Sequence, residues 1–197
     1  MQQSSPNQDE YRALLHRLAT LSPPLFIMGG FAEDALLFHR ITGQHGDLDV
    51  LVIRPQLTQH LQQLTALGLA ESTTSLTEGS GQPLILGANV DVPHIELWVS
   101  TLEPTGGYSF DVEGQSPSNR FRIYLPEDTF HYPATMVEDI AIQTVSPLAL
   151  YHLRAISAMT RHVGEKRAKD LAVQEQLRQM FLEDQDEQKL TPRLMKL

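Results

Sequence analysis

Asp47 and Asp49 stand one residue apart at the head of an alternating apolar run, DLDVLVI, residues 47–53. Side chains two apart on a strand share a face, so this spacing predicts two carboxylates within a few ångströms of each other. Repulsion at that range raises the pKa of one of them unless a cation intervenes. Mg2+, or Mn2+ in its place, meets the need: a hard divalent ion takes one or two carboxylates and fills its other positions with water and phosphate oxygens. Upstream, Gly29 and Gly30 close the short apolar run LFIM, residues 25–28. With no side chains there, backbone can approach a phosphate, and the helix that follows offers unpaired N–H groups and a positive dipole end. Either feature alone specifies little, and an isolated Asp-x-Asp also fits a strand end with its acidic face in solvent. Together they read as a seat for a nucleoside triphosphate and its metal.

The elements that must position these residues follow from periodicity. Residues 9–20 place Tyr11, Leu14, Leu15 and Leu18 on one helical stripe, which Pro23 and Pro24 end. LFIM predicts a strand, Gly29-Gly30 a turn, and FAEDALLFH, residues 31–39, a helix burying Phe31, Ala35 and Phe38. After the strand at 47–53, a helix begins at Pro55 and ends near Gly68, and residues 74–81 form a small-residue turn region. The runs PLILG, PHIELWV, YSFDV and NRFRIYL then predict strands joined by short connections, hence an antiparallel extension of the sheet. At Ser146-Pro147, a good N-cap and first helical residue, the pattern turns helical, and a second helix is expected over 164–183 with the last ten or so residues frayed. The expectation is an α/β (α+β) chain: a mixed, twisted sheet with flanking helices over residues 1–145, and a C-terminal helical section over 146–197 packed on it.

The run Gly29, Gly30, Phe31, Ala32, Asp34, Ala35, Leu36, Leu37, Arg40, Thr42, His45, Asp47, Leu48, Asp49 resembles the pattern of the polymerase-β-type nucleotidyltransferase superfamily. Within it, the run is most similar to the group of aminoglycoside 2″-adenylyltransferases and lincosamide nucleotidyltransferases. The detailed match covers roughly the first quarter of the chain. Phe31 stands where that group usually has Trp, Gly43 where a second Arg is common, and the Phe38-His39 stretch is one residue longer. These departures bear on antibiotic specificity more than on chemistry.

The resemblance implies Asp47 and Asp49 as catalytic metal ligands and a third carboxylate on a later central strand, acting as a further ligand or as the base for the acceptor hydroxyl. Glu96 is the choice, because it shares a strand face with His94 and Trp98 and is followed by Gly106-Gly107 at a family-like interval; Asp91 is the rival. Gly29 and Gly30 are assigned to the triphosphate, with Arg40 as a phosphate or loop-ordering residue. In GEKRAKDL, Lys166, Lys169 and Asp170 are similar to a basic-then-acidic segment of the same group. Lys169 would reach the triphosphate and Asp170 would orient it, although the same residues also fit a solvated helix face. His45 is expected to hold the loop before Asp47, and Trp98 to be core or substrate wall. His16, His60, His131, His152 and His162 show no metal-ligand spacing.

Composition narrows the partners. The chain has 197 residues, 41% of them hydrophobic and 20% charged, which is the balance of a folded globular protein. Its net charge of −9 argues against extended nucleic-acid binding, which needs concentrated Lys and Arg. Without cysteine there are no disulfides, thiolate zinc sites or thiol nucleophiles. No secretion signal or membrane-length apolar run is read, so cytoplasm is expected. The function expected is metal-dependent transfer of a nucleoside monophosphate, AMP from ATP, to a hydroxyl of a small molecule of aminoglycoside-like character. A protein or RNA acceptor, or a nucleotide-binding module without turnover, are the alternatives.

Overall fold

The computed structural model describes residues 8–43, 45–69, 82–87, 94–113, 120–160 and 165–197. Helix α1 (Gln8–Leu18) buries the predicted stripe of Tyr11, Leu14, Leu15 and Leu18. Strand β1 (Phe26–Ile27) runs into helix α2 (Gly29–Glu33), which continues as a π-helix over Asp34–Phe38. A turn at Gly29-Gly30 and one α-helix over residues 31–39 were expected. A π turn accommodates more residues than an α turn, so the extra residue at Phe38-His39 is absorbed and the stripe is shifted: Phe31, Ala35 and Leu36 are in the core, whereas Phe38, expected to be buried, is 40% exposed. His39, in the left-handed region at φ 55°, ends it.

Strand β2 (Leu48–Ile53) begins one residue after Asp47. A short 3-10 turn at Arg54–Gln56 leads into α3 (Leu57–Ala66). Strands β3 (Leu84–Leu86), β4 (Ile95–Leu102), β5 (Tyr108–Glu113) and β6 (Arg120–Leu125) then appear where the four apolar runs predicted them. A small hairpin, β7 (Thr135–Val137) and β8 (Ile140–Ile142), precedes α4 (Pro147–Thr160) and α5 (Glu165–Phe181). Ser146 caps α4: its Oγ accepts from Ala149 N at 3.1 Å.

The main sheet has the order β1-β2-β4-β5-β6, with β3 also paired to β4. It is mixed: β2 and β4 are parallel, and the other pairs among these strands are antiparallel. The parallel pair forms the centre, where Leu48, Val50, Leu51, Val52, Ile95 and Leu97 are at most 1% exposed. Beyond β8 the chain runs along the free side of β1, with Ile27 N donating to Gln143 O at 2.9 Å and Val145 N to Ile27 O at 3.0 Å. This delivers the start of α4 next to the glycine bend.

The chain end is not frayed as expected. Asp186 caps α6 (Glu187–Leu190), accepting from Gln188 N at 2.9 Å, and β9 (Arg193–Lys196) pairs antiparallel with β6. Arg193 lies over the Tyr124 ring at 5.0 Å, giving this otherwise exposed strand a side-chain anchor. The architecture is the α+β one expected, with α4 and α5 as the C-terminal helical section and β9 returning to the sheet. Among the described residues no helix is long and apolar enough to cross a membrane.

Candidate active site

The parallel register of β2 and β4 sets Asp49 beside Glu96. One rank earlier, Leu48 N donates to His94 O at 3.0 Å, which puts Asp47 beside His94. Because alternate residues share a face, Asp47, Asp49, His94 and Glu96 form a two-by-two group at the edge of the buried sheet, with Trp98 behind. All five are half-buried. Ligand atoms of Asp47, His94 and Glu96 lie within 4.8 Å of one another, and His94 Nε2 is 3.9 Å from Glu96 Oε1.

Asp49 sits deeper. Trp98 Nε1 donates to its Oδ1 at 3.3 Å, and its other oxygen lies against Gly29: a Cβ built on that glycine would fall 2.2 Å from Oδ2. Gly29 also has φ +67°. Both the conformation and the close approach therefore call for glycine. Met28 N donates to Asp49 O at 3.0 Å, so the bend and the carboxylate are joined through backbone as well. Burial first, and then the charges of Asp47 and Glu96, push the Asp49 carboxyl up to about 7. Burial and Asp47 also raise Glu96. Carboxylates that resist ionisation beside an imidazole suit a divalent cation, which would relieve the repulsion; Asp49 itself stands outside the converging trio of Asp47, His94 and Glu96.

The loop carrying Asp47 is clamped from below. Buried Asp34 accepts from Thr42 N at 3.0 Å and from the Thr42 hydroxyl, and its Oδ2 is 2.7 Å from His45 Nε2. An ionised carboxylate only accepts, so His45 donates through Nε2. Burial acts to raise the Asp34 carboxyl, but these hydrogen bonds outweigh it and hold the group below its ordinary value. The His45 ring lies 4.0 Å from the Phe31 ring and covers Gly30, where a Cβ would meet Nδ1 at 2.6 Å.

Other sequence-nominated residues fall further out. Arg40 is exposed in the turn after the π-helix. Lys169, 63% exposed, points its Nζ to Glu33 Oε2 at 3.6 Å. Asp170 is buried and accepts from Arg154 Nη1 at 3.1 Å, while the other Arg154 amino group pairs with Glu33. The Lys166 side chain and Asp91 lie outside the described residues. Sequence reasoning left three contributors without a site role: His94, the Trp98 N–H and Arg154. The first two were visible as the alternate positions flanking Glu96. Arg154 carried a weaker signal, as the lone cation in the apolar helix LALYHLRAISAM.

Strand, glycine bend, helix, then a carboxylate pair on a strand parallel to the one bearing Glu96: the chain has the polymerase-β-type nucleotidyltransferase fold. It superposes on ANT(2″)-Ia, solved in complex with adenylyl-2″-tobramycin, with a TM-score of 0.62 and 13% identity over 93% of each chain. The lincomycin-bound lincosamide antibiotic adenylyltransferase LnuA is similar too, with a TM-score of 0.58 and 14% identity, covering 88% of this chain and 99% of that one. A solution structure of the antibiotic-resistance factor ANT(2″)-Ia gives 0.58 at 16% identity, over 93% and 89% of the two chains. No family model and no curated protein matches the sequence.

Proposed function

We propose that this protein is a metal-dependent nucleotidyltransferase that moves a nucleoside monophosphate, AMP from ATP, to a hydroxyl of a small molecule. The observation that carries the reading is the Asp47, Asp49 and Glu96 face closed against Gly29, which holds acidic ligands and a side-chain-free backbone in one place. The structures it resembles bear adenylylated tobramycin in one case and lincomycin in the other, which favours a small hydroxylated acceptor. A net charge of −9 favours a cationic one, of aminoglycoside type.

Asp47, Asp49 and Glu96 would hold Mg2+ or Mn2+, which supplies neutralisation of the triphosphate and stabilisation of the attacking and leaving oxygens. The chain's own groups do the rest. Gly29 and Gly30 admit the phosphates to the backbone. Arg40 and Lys169, both exposed, are assigned to the outer phosphates, Lys169 by exchanging its Glu33 partner for phosphate. Glu96 either completes that ligand set or, with its carboxyl raised by burial and Asp47, accepts the proton of the acceptor hydroxyl as that oxygen attacks the α-phosphorus and pyrophosphate leaves. ATP and Mg2+ are cytoplasmic supplies, and the protein acts there.

Pyrophosphate release is the test, measured with ATP and other nucleoside triphosphates, with Mg2+ or Mn2+, across a library of aminoglycosides, lincosamides and other hydroxyl compounds. Turnover with a small-molecule acceptor is expected, and Asp47→Asn should lower it by at least about a thousandfold with an unchanged circular dichroism spectrum. ATP labelled at the α-phosphate, incubated with lysate, should mark small molecules. Label in protein or RNA would replace the acceptor class, and nucleotide binding without pyrophosphate release from any source would sink the enzyme reading.

A further inference from the structure

We infer that His94 is a nitrogen ligand in the metal centre, and that the position it shares with Asp47 and Glu96 selects a first-row transition ion over Mg2+. This deepens the reading above, since it concerns the same site, but it stands on separate geometry. His94 is aligned with Asp47 across the parallel pair and precedes Glu96 by two on the same strand face. Three donors from two strands thus converge, each pair of ligand atoms within 4.8 Å.

The spacing favours a shared ion over direct pairing. At 3.9 Å, His94 Nε2 and Glu96 Oε1 are too far apart for a hydrogen bond. Ligands on a coordination shell of radius about 2.1 Å stand about 3 Å apart when adjacent and about 4 Å when opposed; the 3.9 Å between His94 and Glu96 falls within that span, and the 4.8 Å bound on the trio lies a side-chain adjustment outside it. His94 is also fixed from behind by its backbone, whose carbonyl accepts from Leu48 N, and its ring is half-buried beside the carboxylates rather than turned to bulk water.

An imidazole changes which cation the site prefers. Mg2+ sheds water reluctantly and takes hard oxygen donors, so a neutral nitrogen adds little to its binding. Along the first transition row, affinity for a mixed nitrogen and oxygen set climbs from Mn2+ toward Co2+ and beyond, and Zn2+ also accepts imidazole readily. The centre therefore divides in character: an all-carboxylate part at Asp49, against the glycine bend, and a nitrogen-bearing part at His94.

Mn2+ titrated into the full-length protein, without nucleotide, is the probe. Bound Mn2+, counted by electron paramagnetic resonance, should show coupling to a ligand nitrogen in pulsed spectra. His94→Gln and His94→Ala should abolish that coupling and weaken Mn2+ and Zn2+ binding by about tenfold or more. Mg2+ affinity, read from displacement of Mn2+, should change by less than about threefold. Because His94 is half-buried at a strand start, both variants should fold; thermal melts check this, and should His94→Ala fail, His94→Gln keeps the test. Native protein that binds Mn2+ without nitrogen coupling, coupling that persists in the variants, or no Mn2+ bound at millimolar concentration would each overturn the inference. None of these readouts uses turnover, so a silent pyrophosphate assay with nitrogen-coupled Mn2+ would refute the transferase reading and leave this one standing.

Discussion

Burial, Asp47 and Glu96 push the Asp49 carboxyl up to about 7 from an ordinary 3.8, so between those values the folded chain holds a proton that the unfolded chain has released. Stability then falls as pH rises through this window and levels off above it. Asp49→Asn, which keeps the shape without the charge, should therefore melt higher than the native protein at about pH 8 in the presence of a chelator, by an amount that shrinks toward pH 4. A divalent cation binds the ionised form, so its stabilisation of the native protein should be large at about pH 8 and fade by about pH 5. Thermal melts at several pH values, with chelator and with Mn2+, check both; an Asp49→Asn protein less stable than native at high pH without metal would show that the carboxylate is not under strain. The sequence made this conflict legible only through the glycine pair upstream, because an Asp-x-Asp by itself also fits a strand end with both carboxylates in solvent. It could not show that Trp98 and Gly29 would press on one member of the pair, since those contacts arise only when three separate segments meet.

At the scale of elements, the π-helix and the loop after it work as one clamp. Asp34, its first residue, gathers Thr42 and His45 from the loop that ends at Asp47, while the β7–β8 hairpin ties the other end through Glu138 N donating to His39 O at 2.7 Å. Asp34→Ala removes a charged acceptor of several hydrogen bonds and should cost about 2–4 kcal/mol in urea unfolding. Asp34→Asn keeps an acceptor oxygen and should cost less. Under the proposed function, kcat should fall in both more than KM for ATP rises, because Asp47 is displaced while the glycine bend remains; equal stability of native and Asp34→Ala protein would remove the clamp. Periodicity foresaw the strands well, since β2 and β4 are buried runs bounded by turn residues. It foresaw neither the π-helix, the β7–β8 hairpin nor β9: local pattern cannot tell a wide turn from an α-turn, three-residue strands are too short to show alternation, and the sequence RLMK reads as a frayed end until β6 is there to pair with it.

For the molecule as a whole, the contact that joins the C-terminal helices to the glycine bend is ionic. Arg154 of α4 lies between Glu33 of α2 and Asp170 of α5, with side chains 13%, 4% and 1% exposed. Such a cluster adds little net stability compared with apolar packing, because three charges must leave water, yet removing Arg154 takes the buried cation from both Glu33 and Asp170 and leaves Glu33 to the exposed Lys169. Arg154→Ala should thus lose about 3–5 kcal/mol. Arg154→Lys should recover only part of that, since an ammonium lacks the planar fork that reaches two carboxylates at once. The triple variant Glu33→Gln, Arg154→Ala, Asp170→Asn should recover most of it, because the penalty comes from uncompensated charge and not from lost contact area. Urea unfolding of the four proteins decides the matter: an Arg154→Ala loss below about 1 kcal/mol, or a triple variant no more stable than the single one, would mean that the helices are held to the bend by packing alone. The Arg154 charge also opposes the rise of the Asp49 carboxyl, so the same residue that fastens the helices is felt at the acidic face proposed to hold the metal. Single-substitution effects at Arg154 and Asp49 should accordingly fail to add, with a double-mutant coupling of at least about 0.5 kcal/mol in the metal-free protein above pH 7.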